Sequence, residues 1–118
     1  MSQFTALSAA ARTATTTSAT LYRQNASSLA VILNVTAVPT VETLTMKIQG
    51  LTASGVTYDI LTGTASAATG KVVLSIGSGL TTTANVSAGL PLPDAFQIVV
   101  THSASGSFTY SVECNTSL

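Results

Sequence analysis

Six side chains in this sequence belong to the types from which most active sites are built. They are His102, Cys114 and the acids Glu42, Asp59, Asp94 and Glu113. Catalysis needs such groups gathered and tuned by one another. Two carboxylates could hydrolyse a glycosidic bond if a fold set them at the right separation. A Ser/His/Asp set is arithmetically available, yet no G-x-S-x-G turn presents a nucleophile. One His with scattered acids gives no metal-ligand spacing. Cys114 is alone, so neither an internal disulfide nor a thiolate cluster can form. The glycines make no phosphate-cradling motif. The expectation is a chain without catalytic residues, cofactor or metal.

The elements that carry His102 and Cys114 are the clearest in the chain. In Phe96 to His102, Phe96, Ile98, Val100 and His102 alternate with Gln97, Val99 and Thr101. In Phe108 to Cys114, Phe108, Tyr110, Val112 and Cys114 alternate with Thr109, Ser111 and Glu113. A period of two marks half-buried strands. A three-residue loop, Ala104-Ser105-Gly106, would close them as a hairpin pairing Val100 with Tyr110, Ile98 with Val112 and Phe96 with Cys114. Glycine then falls where a type I turn with a bulge needs a left-handed residue. In that register His102 lies opposite Phe108 as a packing residue, and Cys114 is a buried, inert thiol. Glu42, at the start of a strand, and Glu113, on an outward face, read as solvated.

Further strands can be read upstream, and Leu29 to Thr36 among them is apolar on both faces at first and then alternates through Leu33 and Val35. Thr13 to Tyr22 is a thin Thr-rich strand. Leu29 to Thr36 suits a central strand. Glu42 to Gly50 turns Leu44, Met46 and Ile48 inward. Val56 to Leu61 places Val56, Tyr58 and Ile60 on one face, and Lys71 to Ile76 places Val72, Leu74 and Ile76 on one face. Residues 1–12 are small and polar and read as an arm; residues 13–118 read as one β domain. Gly77 to Asp94 is the longest stretch without a pattern, and such loops are functional or mobile. It ends in the stiff, extended Leu90-Pro91-Leu92-Pro93-Asp94. Two roles are open for it: a docking loop, or a crossover whose leucines plug the end of the core. With no convincing helix, the fold class is all-β: a single antiparallel β-sandwich, Ig-like or jelly-roll-like, of about seven or eight strands with an extended N-terminal arm.

Composition narrows the partners. Charged residues are 7% of 118 and the net charge is zero, against roughly 25% charged in ordinary globular chains. Ser and Thr make up the difference. Positive hydropathy with no net charge argues for folding rather than disorder. Only Arg12, Arg23, Lys47 and Lys71 could guard strand edges. Such a surface is either covered by copies or a partner, or solvated through hydroxyls. No basic patch supports nucleic-acid binding. No apolar run is long enough to span a membrane, and Met1 to Leu7 lacks the pattern of a signal peptide. All four asparagines, Asn25, Asn34, Asn85 and Asn115, stand in N-x-[ST] sequons, which frequent Ser and Thr make unremarkable.

Longer stretches resemble a known family. ARTATTTSAT (11–20) precedes LAVILNVTAV (29–38), which runs into TLTMKIQG (43–50). GLTTTANVSAGLPLPDAFQIVVTH (79–102) then runs into FTYSVECN (108–115). The order is similar to that of small virion structural proteins of tailed bacteriophages, and it covers most of the chain from residue 11. Ile48-Gln49-Gly50 and the step from Thr101-His102 to Tyr110-Ser111-Val112 carry most of the weight. Leu51 to Thr69 departs from the more charged loop of that pattern. The resemblance implies a non-enzymatic head decoration, or cement, protein on the capsid surface. Such a protein binds the major capsid protein lattice, bridges coat subunits and forms homo-oligomers, with a trimer favoured. A neck or tail component is the alternative, and a carbohydrate- or cell-surface-binding Ig-like module a further one that the scarcity of aromatics disfavours. The expected partner contacts are Gln3, Phe4, Leu7 and Arg12 on the arm and Leu90, Pro91 and Leu92 on the loop.

Overall fold

A computed structural model of the chain describes residues 2–117. Among them ten strands form and no helix. They are β1 (Ser2–Arg12), β2 (Thr16–Thr17), β3 (Leu21–Tyr22), β4 (Ser28–Ala37) and β5 (Leu44–Leu51), then β6 (Thr57–Thr62), β7 (Gly70–Gly77), β8 (Ser87–Ala88), β9 (Ala95–His102) and β10 (Phe108–Ser117). One sheet has the order β1-β10-β4-β7-β8; the other runs β2-β9-β5-β6, with β3 also on β9. Every pairing is antiparallel except β7 with β8. The inner faces share one apolar core, and an open sandwich fits the arrangement. The count exceeds seven or eight for two reasons. The strand expected over 13–22 is split at Ser18, and β8 forms inside the long loop.

The pairings are nested. β1 lies on β10, β4 on β7 and β5 on β6, while β2 and β3 both lie on β9. The chain thus folds back on itself as one long double strand, outermost pair first. Rolling that double strand around the core creates the contacts of β10 on β4 and β9 on β5, and the short β8 adds a parallel pairing on β7.

This rolling overturns the C-terminal hairpin. β9 and β10 belong to different sheets, and residues 103–107 arch from one sheet to the other. The predicted inward faces are right. Phe96, Ile98 and Val100 are fully buried, and so are Tyr110, Val112 and Cys114. They line opposite walls of the core instead of standing side by side. Across β9 the neighbours are Gly50, Ile48 and Met46; across β10 they are Val35, Leu33 and Val31. Alternation reports which face is buried, not which strand lies alongside. Gly106 is not in the left-handed region. Its missing side chain instead admits the Glu42 carboxylate, which sits where a Cβ would be.

The N-terminal arm is also corrected. Residues 2–12 are an edge strand bonded along β10, with Phe4 opposite Cys114, Leu7 opposite Val112 and Ala10 opposite Tyr110. Those three residues are spaced by three, which no regular strand can turn to one face. Two irregularities, between Thr5 and Leu7 and between Leu7 and Ala10, absorb the extra residues. A bulge does this by setting two residues against one. Met1 of the expected arm lies outside the described residues.

A third correction concerns β6. A register shift at Ile48/Gln49 leaves Leu61 as its buried residue. Tyr58 lies over Gly50, where a side chain would stand, and Val56 is exposed in the preceding turn. Elsewhere the alternation holds. Leu29, Val31, Leu33 and Val35 of β4, Leu44, Met46 and Ile48 of β5, and Leu74 and Ile76 of β7 are buried. Each such side chain contributes about 1.5–3 kcal/mol over leaving it in water. Ser18 shows how the split between β2 and β3 is bridged. Its N–H donates to the Ile98 carbonyl at 2.9 Å, and its Oγ accepts from the Ile98 N–H at 3.0 Å.

Candidate functional site

The arch brings two of those six side chains, His102 and Glu42, to one end of the sandwich, together with Tyr110 and Arg12. His102 ends β9, and its Nε2 shares a 2.9 Å hydrogen bond with the Tyr110 hydroxyl of β10. Its ring meets Phe108 edge-on at 5.4 Å between centroids. Arg12, at the end of β1, lies over the Tyr110 ring at 4.8 Å. It donates to the Tyr110 carbonyl at 2.8 Å and to the Ser8 carbonyl at 2.6 Å. Glu42 comes from the β4–β5 connection and rests against Gly106. Thr43 fastens the same loop. Its N–H donates to Ser103 Oγ at 2.8 Å, and its carbonyl accepts from the Ser103 N–H at 3.0 Å.

The electrostatics follow from this packing. Burial, helped by the Arg12 charge, holds His102 below its ordinary value of 6.5, while Glu42 pulls the other way. Burial pushes the Tyr110 phenol above 10.0, against pulls from the Thr16 side chain and Arg12. Two buried polar atoms here have no hydrogen-bond partner, His102 Nδ1 and Glu42 Oε2. The cluster therefore holds a neutral imidazole on a protonated phenol, which fastens one sheet to the other across the arch. Glu42 is half-buried rather than solvated as expected from its place in the sequence. Among the described residues, no three of His, Cys, Asp and Glu gather closely enough to hold a metal ion. Cys114 is fully buried, and burial pushes its thiol up to about 12.

The expected partner contacts divide. In the loop, Leu90 is 50% exposed and Pro91 is exposed, while Leu92 is 3% exposed and plugs the core. On β1, Gln3 is exposed and Phe4 and Leu7 are half-buried against the core. Arg12 is spent on Tyr110 and the β1 backbone. No family model matches this chain, and no curated protein does.

Two features escaped sequence reasoning. The Gly77–Asp94 loop is fastened to itself and to β7. Ser75 N–H donates to the Val86 carbonyl at 3.1 Å, Ser87 Oγ to the Thr81 carbonyl at 2.7 Å, and Gly89 N–H to Thr82 Oγ1 at 3.0 Å. The fastened loop leaves Leu80, Val86 and Leu90 exposed. From Val72 to Pro93 it carries no charge. The second feature is a cleft of about 350 Å³ where the edges of the two sheets gape, lined by Phe4, Leu21, Tyr22, Arg23 and Gln24. Its rim is tied by the ion pair of Arg23 with Asp94. Two of the four sequon asparagines have conformational reasons: Asn25 and Asn85 hold left-handed turns at φ 73 and φ 63, which Asn tolerates better than most residues.

Proposed function

We propose that the chain is a non-enzymatic structural protein of a bacteriophage virion, a decoration protein that binds the outside of the head and bridges coat subunits. The observation that carries the reading is the nested strand order. With β2 and β3 taken as one interrupted strand and the two-residue β8 set aside, eight strands remain, paired first with last and so inward. That is the plan of a jelly roll, a double-sheet fold common in viral capsid domains and also found in lectins and cupins. We take the finer fold to be jelly-roll-like rather than Ig-like. Fold alone does not carry function; the sequence resemblance over residues 11–115 points the same way.

The surface supports a binding role. Leu80, Val86, Leu90 and Pro91 are exposed on a loop that carries no charge from Gly77 to Pro93 and is held in shape by its own hydrogen bonds, so docking would order little further chain. Many weak contacts of this kind sum when copies bind a lattice. Gln3 stays among the proposed contacts. Leu92 and Arg12 do not, because each is committed within the chain. In this role the protein would reside on the capsid surface, bound to the major capsid protein, as a homo-oligomer with a trimer favoured.

The test is cosedimentation of purified protein with expanded phage heads, followed by counting copies per particle. Saturable binding in proportion to the coat lattice is the expected result. Protein that stays in the supernatant with heads and copurifies with tails in ring-like numbers would place it in the neck or tail instead.

A further inference from the structure

β1 is held differently from every other long strand. None of its residues from Gln3 to Arg12 is fully buried, and the buried core begins in sequence only at Ala26. Phe4, Ala6 and Leu7 pack against that core from its margin. The register of β1 on β10 is interrupted twice. From Ser2 to Ala11 it carries no charge and no proline, the residues that ordinarily keep an edge from pairing with other chains. It is joined to β2 by only three residues, 13–15, which lead over to the other sheet. Short hinges of this kind invite strand exchange.

The strand beneath it would stay in place without it. β10 is paired on its other side with β4 at nine positions, Thr109 to Ser117. If β1 lifts away, β10 presents a free row of backbone groups and the seats of Phe4, Leu7 and Arg12. The one segment already fitted to that row is β1 itself, and every copy carries it. Zero net charge removes long-range repulsion between copies.

We infer that β1 is an exchangeable strand, donated by one copy of this chain to the β10 edge of a neighbouring copy. The contacts made are the same in both states, so local concentration decides between them, as in other exchanged strands. The hinge spans at most about 10 Å, so donor and acceptor copies must be adjacent. Reciprocal exchange closes a pair, and head-to-tail exchange closes a ring. The inference stands independently of where in a particle the copies sit.

The experiment uses the full chain with Ala11→Cys and Thr109→Cys, cross-strand partners in the β1–β10 register. The native Cys114 is buried and its thiol is held back, so it does not compete. Protein oxidised while dilute should give an intrachain bond and run as single chains on a non-reducing gel. Protein concentrated and incubated before oxidation should give covalently linked chains that reducing agent returns to monomer, with neither single-cysteine variant doing so. Intrachain bonds alone, after incubation at high concentration, would overturn the inference. Native-state hydrogen exchange on the unsubstituted chain tests it without any mutation. The β1 amides should exchange at least tenfold faster than those of β4, by an opening that leaves β4 and β7 protected. Protection of β1 equal to that of β4 would also overturn it.

Discussion

Leu90 and Leu92 are two residues apart in one proline-led segment, and the structure gives them opposite fates. Leu92 is 3% exposed and Leu90 50% exposed. Leu92→Ala removes three carbons from the core, about 2.4 kcal/mol at about 0.8 kcal/mol each. The cavity left behind adds to this, but the segment lies at the end of the core and can settle, so the total is about 3 kcal/mol, low in the range for buried leucines. Leu90→Ala removes a side chain already half in water, with an effect within about 0.5 kcal/mol. An unfolding entropy of about 2.1 cal/mol/K per residue over 118 residues gives about 0.25 kcal/mol/K. Leu92→Ala should then lower Tm by about 12 °C and Leu90→Ala by less than about 2 °C. Thermal melts followed by far-UV circular dichroism, with urea titrations at neutral pH, measure both. Equal losses in the two variants, or a Leu92→Ala protein melting within about 3 °C of the parent, would refute the assignment of Leu92 to the core. Under the proposed function, Leu90→Ala should weaken cosedimentation with phage heads while its Tm stands.

Other outcomes follow from the arch and the core. His102 has a folded-state pKa below the unfolded 6.5, so the unfolded chain takes up the proton first. Its stabilising contribution is complete above about pH 6.5 and is lost as pH falls through the folded value; urea midpoints between pH 7.5 and 5 should fall, and His102→Gln should flatten that slope. Cys114, with its thiol raised to about 12, should resist a thiol reagent at pH 8 in the native protein and react fully in urea; rapid native labelling would mean the core opens. Gly89 abuts the Leu80 backbone carbonyl, whereas Gly106 abuts the movable Glu42 carboxylate. Gly89→Ala should therefore cost about 1–3 kcal/mol and Gly106→Ala clearly less, a difference that equilibrium unfolding reads directly.

Much of the core was legible in the chain. Alternation of apolar residues in 29–35, 44–48, 72–76, 96–100 and 108–114 marks an inward face because side chains on a strand point alternately to its two sides. That rule is local, so it reached Cys114 and Phe96 correctly. The same rule missed β1, since Phe4, Leu7 and Ala10 are spaced by three and reach one face only through bulges that β10 imposes. It also missed the phase change at Ile60, where β5 sets the register. Partner choice belongs to the tertiary structure. β9 and β10 are joined by five residues, and a hairpin satisfies both patterns and the glycine. Rolling the nested pairs around one core buries the inner faces of β9 and β10 against each other instead and places each of these two strands between neighbours in its own sheet. The types and spacing of residues determined that this is a sparsely charged, net-neutral β protein with His102 and Cys114 in packing roles. Only the tertiary fold decided that Arg12, Glu42 and Tyr110 would join His102, that Leu92 would be core while Leu90 stays outside, and that Gln3 to Arg12 of β1 would lie at the margin of the core.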